Sequence, residues 1–258
     1  MIVDTHAHLN FKAFKDDADE VIRRALESET WLINVGSQYS TSQRAIEIAE
    51  RYDGVFAAIG LHPTHVNDEE FSYEEYKKLA ELKRVVAIGE VGLDYFHEPY
   101  NKGLQRSVLC KQLDLAKELN LPVIFHCRNA HDDLIKEIRS RCEIESSKIT
   151  GVIHCFAGSW LEAQKYLDMG LYLGINGIIF KTDLNEVIKK APLDRILLET
   201  DCPYLTPKPM EGRNEPSYIK YVAQKIAELK NINFEEVAAA TTQNAKKLFK
   251  IPGSPAGR

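Results

Sequence analysis

The stretch Val85-Val86-Ala87-Ile88-Gly89-Glu90 reads as a short β-branched and apolar run that ends on a carboxylate. Such a run suits a strand buried on both faces, as in a parallel sheet. A charged residue at its C-terminal end breaks the core pattern where a functional site would. Similar runs recur at Ile2-Asp4, Trp31-Val35, Val55-Ile59, Pro122-Phe125, Gly151-Ile153, Leu171-Ile175 and Arg195-Glu199. Amphipathic stretches separate them, among them DADEVIRRALES, TSQRAIEIAERY, LQRSVLCKQLDLAKELN and PSYIKYVAQKIAEL, with apolar residues at three- and four-residue steps. The strand ends fall near residues 8, 35, 62, 90, 126, 154, 175 and 201, a spacing regular enough for eight βα units. Parallel strands need helical crossovers, so the reading is α/β, a (β/α)8 TIM barrel in a single domain over residues 1–251. An extra C-terminal helical segment, NFEEVAAATTQNAKKLF, reads as a final helical pair packing on the outside, and residues 252–258 as a flexible tail.

The chain of 258 residues is of the length one such barrel needs, and its 44% hydrophobic content suffices for a single core. Five cysteines at irregular spacing, with no CxxC pair, exclude a disulfide framework and a thiolate zinc knuckle. No basic segment followed by an apolar one opens the sequence, and no run approaches a membrane span, so a cytoplasmic protein that contacts no membrane is expected. The 38 acidic against 33 basic side chains give a net charge of -5, which argues against a broad basic surface for nucleic acid while leaving room for a local site.

The polar residues at the strand ends carry the functional reading. His6, His8, His126 and His154, of only eight histidines, stand at or just past predicted strand ends, and Glu90 and Asp201 end strands four and eight. In a barrel these ends converge on one face. His6 and His8, two residues apart on an extended segment, point to the same side and can pinch a metal between them. Imidazole and carboxylate suit Zn²⁺ or Mn²⁺, with Mg²⁺ preferring more oxygen. Six ligands exceed what one open catalytic ion uses, so two divalent ions are expected: His6, His8 and Asp201 on one, His126 and His154 on the other, and Glu90 bridging. Cys127, Cys155 and Cys202 each follow one of these residues, and strand alternation is expected to turn them toward the helix layer as small buried hydrophobes.

The motifs DTHAHLN, IGLHPTHV, VVAIGEVGLDY, LNLPVIFHCR, GVIHCFAGS, LLETDCPYLTP and RNEP, in this order over nearly the whole length, resemble the TatD family of metal-dependent deoxyribonucleases, a branch of the amidohydrolase-like barrels. The resemblance implies a TIM barrel, two divalent ions on the same six residues, and hydrolysis of DNA phosphodiester bonds from 3′ ends (3′-5′ exonuclease type). The implied substrate is single-stranded DNA or 3′ ends, with no obligate protein partner. Asp201 and Glu90 take the catalytic roles, Asp201 orienting the attacking water or accepting its proton. His62, in GLHP, is expected to touch a substrate phosphate rather than a metal. Arg128 and Arg213 are placed to meet phosphate oxygens bidentately. Glu199, of the same parity as Asp201, either contacts substrate or supports the site from one layer below. His97 and His131 read as surface or capping residues. Two departures stand out: Thr64 occupies the position where many members carry a second histidine, and Met210-Glu211-Gly212-Arg213-Asn214-Glu215-Pro216 is less basic than the usual RGKRNEP loop. The alternatives are a deacylase or amidohydrolase acting on an ester or amide such as an aminoacyl-tRNA, and a non-catalytic metal-binding scaffold.

Overall fold

Strands and helices alternate strictly from β1 to β8 in the computed structural model, which describes residues 1–145 and 148–252. The order is β1 (Ile2–Ala7), α1 (Ala18–Glu27), β2 (Thr30–Val35), α2 (Tyr39–Arg51), β3 (Val55–Ile59), α3 (Tyr73–Ala80), β4 (Val85–Asp94) and α4 (Lys102–Glu118). It continues with β5 (Val123–Arg128), α5 (His131–Glu145), β6 (Gly151–Ile153), α6 (Trp160–Asp168), β7 (Tyr172–Ile175), α7 (Asn185–Lys190), β8 (Ile196–Leu198), α8 (Ile219–Lys230) and α9 (Phe234–Phe249). Each strand pairs in parallel with the next in sequence. A bridge from Ala7 to Cys202, flanked by His8 N–H on Cys202 O and Asp201 N–H on His6 O, joins the last strand to the first. The eight-stranded barrel expected from the spacing is the fold. Among the described residues no helix is long and apolar enough to cross a membrane.

Two apolar layers hold it. Outward-facing strand residues such as Leu32, Ile59, Val85 and Phe125 pack on the helices in one large cluster. Inward-facing residues from every strand, including Val3, Ile33, Ala58, Val86, Ile124, Val152, Tyr172 and Leu197, fill the barrel itself. A buried Leu, Ile or Phe in such a layer contributes about 1.5–3 kcal/mol relative to exposure.

The C-terminal segment differs from expectation. It forms one helix, α9, opened by a single capping box at Asn233, rather than a pair. Nor does it lie wholly outside: Ala245, Leu248 and Phe249 join the interior cluster, closing the N-terminal end of the barrel. Asn244 Nδ2 donates to the carbonyls of Leu193 and Ile196 at the start of β8, and Thr242 Oγ1 donates to Met1 O, which fixes the plug. Open barrel interiors need covering, and the three- and four-residue spacing of these side chains supplies one apolar face. Of the expected tail, residues 253–258 lie outside the described residues.

The other difference is β4. It was expected to end near Glu90 but runs on to Asp94, ten residues in all. Its pairing with β5 shifts register between Ile88 and Val91, then continues through Gly92 opposite His126 and Asp94 opposite Arg128. Gly92 sits at φ 153°, and a Cβ there would stand 1.9 Å from His126 O. Only glycine lets β4 hug β5 at that point. A comparable irregularity between Asp4 and Ala7 of β1 changes the side-chain parity, so that His6 and His8 point into the barrel mouth although Val3 already faces inward.

Candidate metal centre

At the C-terminal mouth the six residues expected as ligands come together. His6 Nε2 and His8 Nε2 lie 3.1 Å apart, and His8 Nδ1 is held by the carbonyl of Val35 at 2.9 Å. The Glu90 carboxylate faces two ways. Its Oε2 is 3.4 Å from His6 Nε2 and 3.9 Å from His8 Nε2, while Oε1 is 2.7 Å from His126 Nδ1 and 3.7 Å from His154 Nε2. Asp201 Oδ1 closes the other side, 3.5 Å from His8, 3.9 Å from His6 and 3.7 Å from His154. All of these are buried or nearly so. Asp201 reaches in from a left-handed backbone at φ 57°, an unfavourable conformation for a residue with a Cβ that the surrounding hydrogen bonds enforce.

Packing so many titratable groups together sets their charges. Burial works against ionising Glu90, yet His62, His154 and His6 and the His126 hydrogen bond outweigh it and hold the carboxyl well below its ordinary range. Asp201 is likewise lowered, burial being overcome by His154, His8 and His6. Burial and the neighbouring His154 keep His6 below the usual imidazole value. His154 is the opposite case: burial disfavours its charge, but Glu199, Glu90 and Asp201 raise it to about 10. His126, between two carboxylates, is raised too, its hydrogen bonds to Asp94 and Glu90 exceeding the burial penalty.

The donor set fits a metal. Two buried imidazole nitrogens 3.1 Å apart need a proton or a cation between them, and His6 Nδ1 is buried with no hydrogen-bond partner among the described residues. His6, His8 and Glu90 form one compact group of potential ligands; His62, Glu90 and His126 form another, sharing Glu90.

Around this centre stand residues that orient it. Glu199 is fully buried, with Oε1 2.9 Å from His154 Nδ1, accepting also from Cys155 N at 2.7 Å and Asn176 Nδ2 at 3.0 Å. Of its two expected roles, the geometry favours support: the carboxylate has no exposed surface, and its Oε1 is turned to His154, Cys155 and Asn176. Asp94 does for His126 what Glu199 does for His154, its Oδ2 lying 2.9 Å from His126 Nε2 and 2.8 Å from His97 Nδ1. Burial raises and these hydrogen bonds lower its pKa, and the hydrogen bonds win. Sequence reasoning missed Asp94 because it ended β4 at Glu90, yet the parity of two from Glu90 through Gly92 was the available signal. His97 stands exposed at the site's edge, as expected of a surface residue, its Nδ1 2.8 Å from Asp94 Oδ2.

The remaining expected residues divide. His62 lies 3.5 Å from Glu90 Oε1, its pKa lowered to about 4 by burial and by His126. Its Nδ1 accepts from Thr64 N at 3.2 Å and meets Thr64 Oγ1 at 2.7 Å. Arg128 is exposed at the rim, its guanidinium 4.0 Å above the Phe96 ring. Arg213 is engaged elsewhere: it pairs with Asp17, donates to Ala13 O and lies 4.2 Å over Phe14. In that loop the inward residue is Asn214, fully buried, whose Nδ2 donates to the carbonyls of Thr200 and Tyr204. Among the cysteines, Cys202 is buried in the outer apolar layer as expected. Cys155 is not turned away: β6 ends at Ile153, and a left-handed φ of 46° breaks the alternation and leaves the thiol near His154 and Asp201. Burial first, then Asp201 and Glu199, raise its pKa, so it stays a neutral thiol donating to Asn176. His131, at the first turn of α5, caps nothing on the surface and instead contacts Tyr166 OH and Cys127 Sγ.

Residues 3–250 match the family model described as TatD related DNase. The chain belongs to the TatD family. It is 46% identical over 257 residues to an uncharacterized metal-dependent hydrolase, YabD, of Bacillus subtilis, covering 97% of this chain and all of that one. It is 36% identical to the 3'-5' ssDNA/RNA exonuclease TatD of Citrobacter rodentium, covering 96% and 97%. Among solved structures, the TatD homologue YJJV of Escherichia coli superposes with a TM-score of 0.89 at 32% identity, covering 97% and 98%. As a TatD-family protein this chain is a metal-dependent hydrolase, and the converging histidines and carboxylates form candidate metal-binding groups.

Proposed function

We propose that this TatD-family hydrolase cleaves phosphodiester bonds of single-stranded DNA, removing nucleotides from 3′ ends, with two divalent cations drawn from Mg²⁺, Mn²⁺ and Zn²⁺. The observation that carries this reading is the division of labour in Glu90, whose Oε2 faces His6 and His8 while Oε1 faces His126 and His154. His6, His8 and Asp201 would hold one ion, His126 and His154 the other, and Glu90 both. Cations at such a pair of sites lower the pKa of water and neutralise charge on attacking and leaving oxygens.

The chain's own residues do the rest. Asp201, ionised and at the mouth, would orient the attacking water and take its proton on the carboxylate oxygen not turned to the ion. Because the Thr64 amide donates to His62 Nδ1, the neutral His62 ring carries its proton on Nε2, the nitrogen that faces the site. His62 is thus a hydrogen-bond donor suited to a phosphate oxygen rather than a ligand. Glu199 and Asp94 hold the rings of His154 and His126, fixing which nitrogen each presents. Arg128, exposed at the rim, is placed to meet phosphate, whereas Arg213 fixes its loop through Asp17.

The test is a single-stranded oligonucleotide labelled at either end, incubated with each cation in turn beside the Glu90→Ala and Asp201→Asn variants. Progressive shortening from the 3′ end by the wild type and none by Glu90→Ala is expected. Hydrolysis of an aminoacyl or other carboxylic ester with the DNA left intact would replace the nuclease reading by the deacylase one.

A further inference from the structure

Four large apolar side chains are well exposed among the described residues: Leu82, Phe96, Leu161 and Tyr204. Only Leu82, between α3 and β4, lies at the N-terminal end of the barrel; the other three stand in the segments that follow β4, β6 and β8, on the rim of the metal centre. Isolated exposed hydrophobes are ordinary, but their gathering around one mouth is not. Phe96 and Tyr204 are the aromatic pair. They follow β4 and β8, which are four strands apart in an eight-stranded ring and therefore on opposite sides of the opening.

Both are held in place by the site itself. The amides of Phe96 and His97 each donate to Asp94 Oδ1 at 2.9 Å, and the other oxygen of Asp94 holds His126. The Phe96 ring is 53% exposed, with Arg128 laid 4.0 Å over it. Tyr204 is 55% exposed, its amide donating to Asp201 O and its carbonyl accepting from buried Asn214. Beside Phe96 begins a groove of about 620 Å³ that Lys102 and Arg128 help to line. Of its three carboxylates, Asp133 is held by Tyr95 OH and Glu162 by Ser159, while exposed Asp132 lies 3.5 Å from Lys165 Nζ. Flat aromatic faces backed by cations beside a backbone track are how proteins hold unpaired bases without reading sequence.

We propose that Phe96, with Arg128, and Tyr204 are two stacking platforms that seat the bases on either side of the phosphate presented to the metal centre. This rests on the nuclease reading above and adds the part of the substrate it grips: unpaired bases, whatever their identity, with the strand drawn across the mouth from β4 to β8. A paired base cannot stack on a protein ring, so the platforms select single strands.

The experiment compares wild type, Phe96→Ala, Phe96→Trp, Tyr204→Ala and Tyr204→Phe on a single-stranded oligonucleotide and on bis(4-nitrophenyl) phosphate, a diester with no base. Each alanine variant should raise KM for the oligonucleotide about tenfold, the scale of one lost base–aromatic stack, with kcat within about twofold. Phe96→Trp and Tyr204→Phe should retain wild-type KM, and all five should hydrolyse the small diester alike. An oligonucleotide with an abasic residue next to the scissile phosphate should weaken wild type to the level of one alanine variant and add nothing to that variant's loss. Alanine variants that match wild type on the oligonucleotide, or losses that multiply with the abasic residue in both variants, overturn the platforms while the nuclease reading stands. A wild type that hydrolyses the small diester but no oligonucleotide overturns the nuclease reading and the platforms with it.

Discussion

Replacing Glu199 by glutamine is the sharpest probe of the site, because it alters one charge and almost no volume. Glu199 Oε1 accepts hydrogen bonds from Cys155 N and Asn176 Nδ2 and lies 2.9 Å from His154 Nδ1, whereas Oε2 is buried with no partner. Glutamine can keep its oxygen at Oε1, so the three contacts survive as neutral ones. A charge-assisted hydrogen bond contributes about 1.5–3 kcal/mol and a neutral one about 1, so each contact weakens by about 0.5–2 kcal/mol. The new amide nitrogen falls at Oε2, without an acceptor and against Gly174, where even a Cβ would stand 2.3 Å from that oxygen. The three contacts together lose about 1.5–6 kcal/mol, which for a chain of this size lowers Tm on the order of 3–24 °C. The part that passes through His154 weakens metal binding about ten- to a hundredfold, as loss of an outer carboxylate does elsewhere. Titration calorimetry with Mn²⁺ and thermal denaturation in chelator separate the two effects. A variant that binds Mn²⁺ within about twofold of wild type would refute the view that Glu199 acts by setting His154.

Further outcomes follow from the geometry. In metal-free protein, His154 stands at about 10 against an ordinary 6.5, so its contribution to stability is fully present below pH 6.5 and is lost as pH rises through 10; chelator-treated samples should show lower denaturant midpoints at pH 10 than at pH 6.5. A cation must displace that same proton, so Mn²⁺ affinity should climb with pH across this window, with proton release visible as a buffer-dependent binding enthalpy. Asp94→Asn should loosen His126 and lower metal affinity about tenfold while moving Tm by only a few degrees, measured by the same titration. Gly92→Ala forces a Cβ to within 1.9 Å of His126 O and should cost several kcal/mol by denaturant unfolding, whereas Arg213→Ala, which removes an exposed pair with Asp17, should cost under about 1 kcal/mol and leave metal binding intact.

Much of this was legible in the sequence because the barrel imposes a simple rule: a polar residue at the end of an apolar strand run lies at the mouth. His6, His8, Glu90, His126, His154 and Asp201 all obey it. What escaped were residues placed by breaks in strand regularity. Asp94 belongs to a strand that continues past a register shift and a glycine, so a reading that stopped at the first charge never reached it. Cys155 stays at the site because one left-handed residue cancels the alternation that was to turn it away. Arg213 and Asn214 are neighbours of similar polarity, and only the loop's path decides that the arginine meets Asp17 while the amide turns inward. Likewise α9 announces an apolar face without saying that the face covers the end of the barrel.

The junction of β1 with β8 has a consequence for how the protein comes into being. His6 and His8 are synthesised well before Asp201 and the Thr200 contacts that anchor Asp4, 196 positions away. A nascent chain that stops short of Asp201 therefore lacks part of the proposed ligand set. Closing so long a loop is an entropic burden met by the cooperative formation of the whole barrel rather than by any early fragment. On the proposed ligand set, the site is complete only once β8 has joined β1.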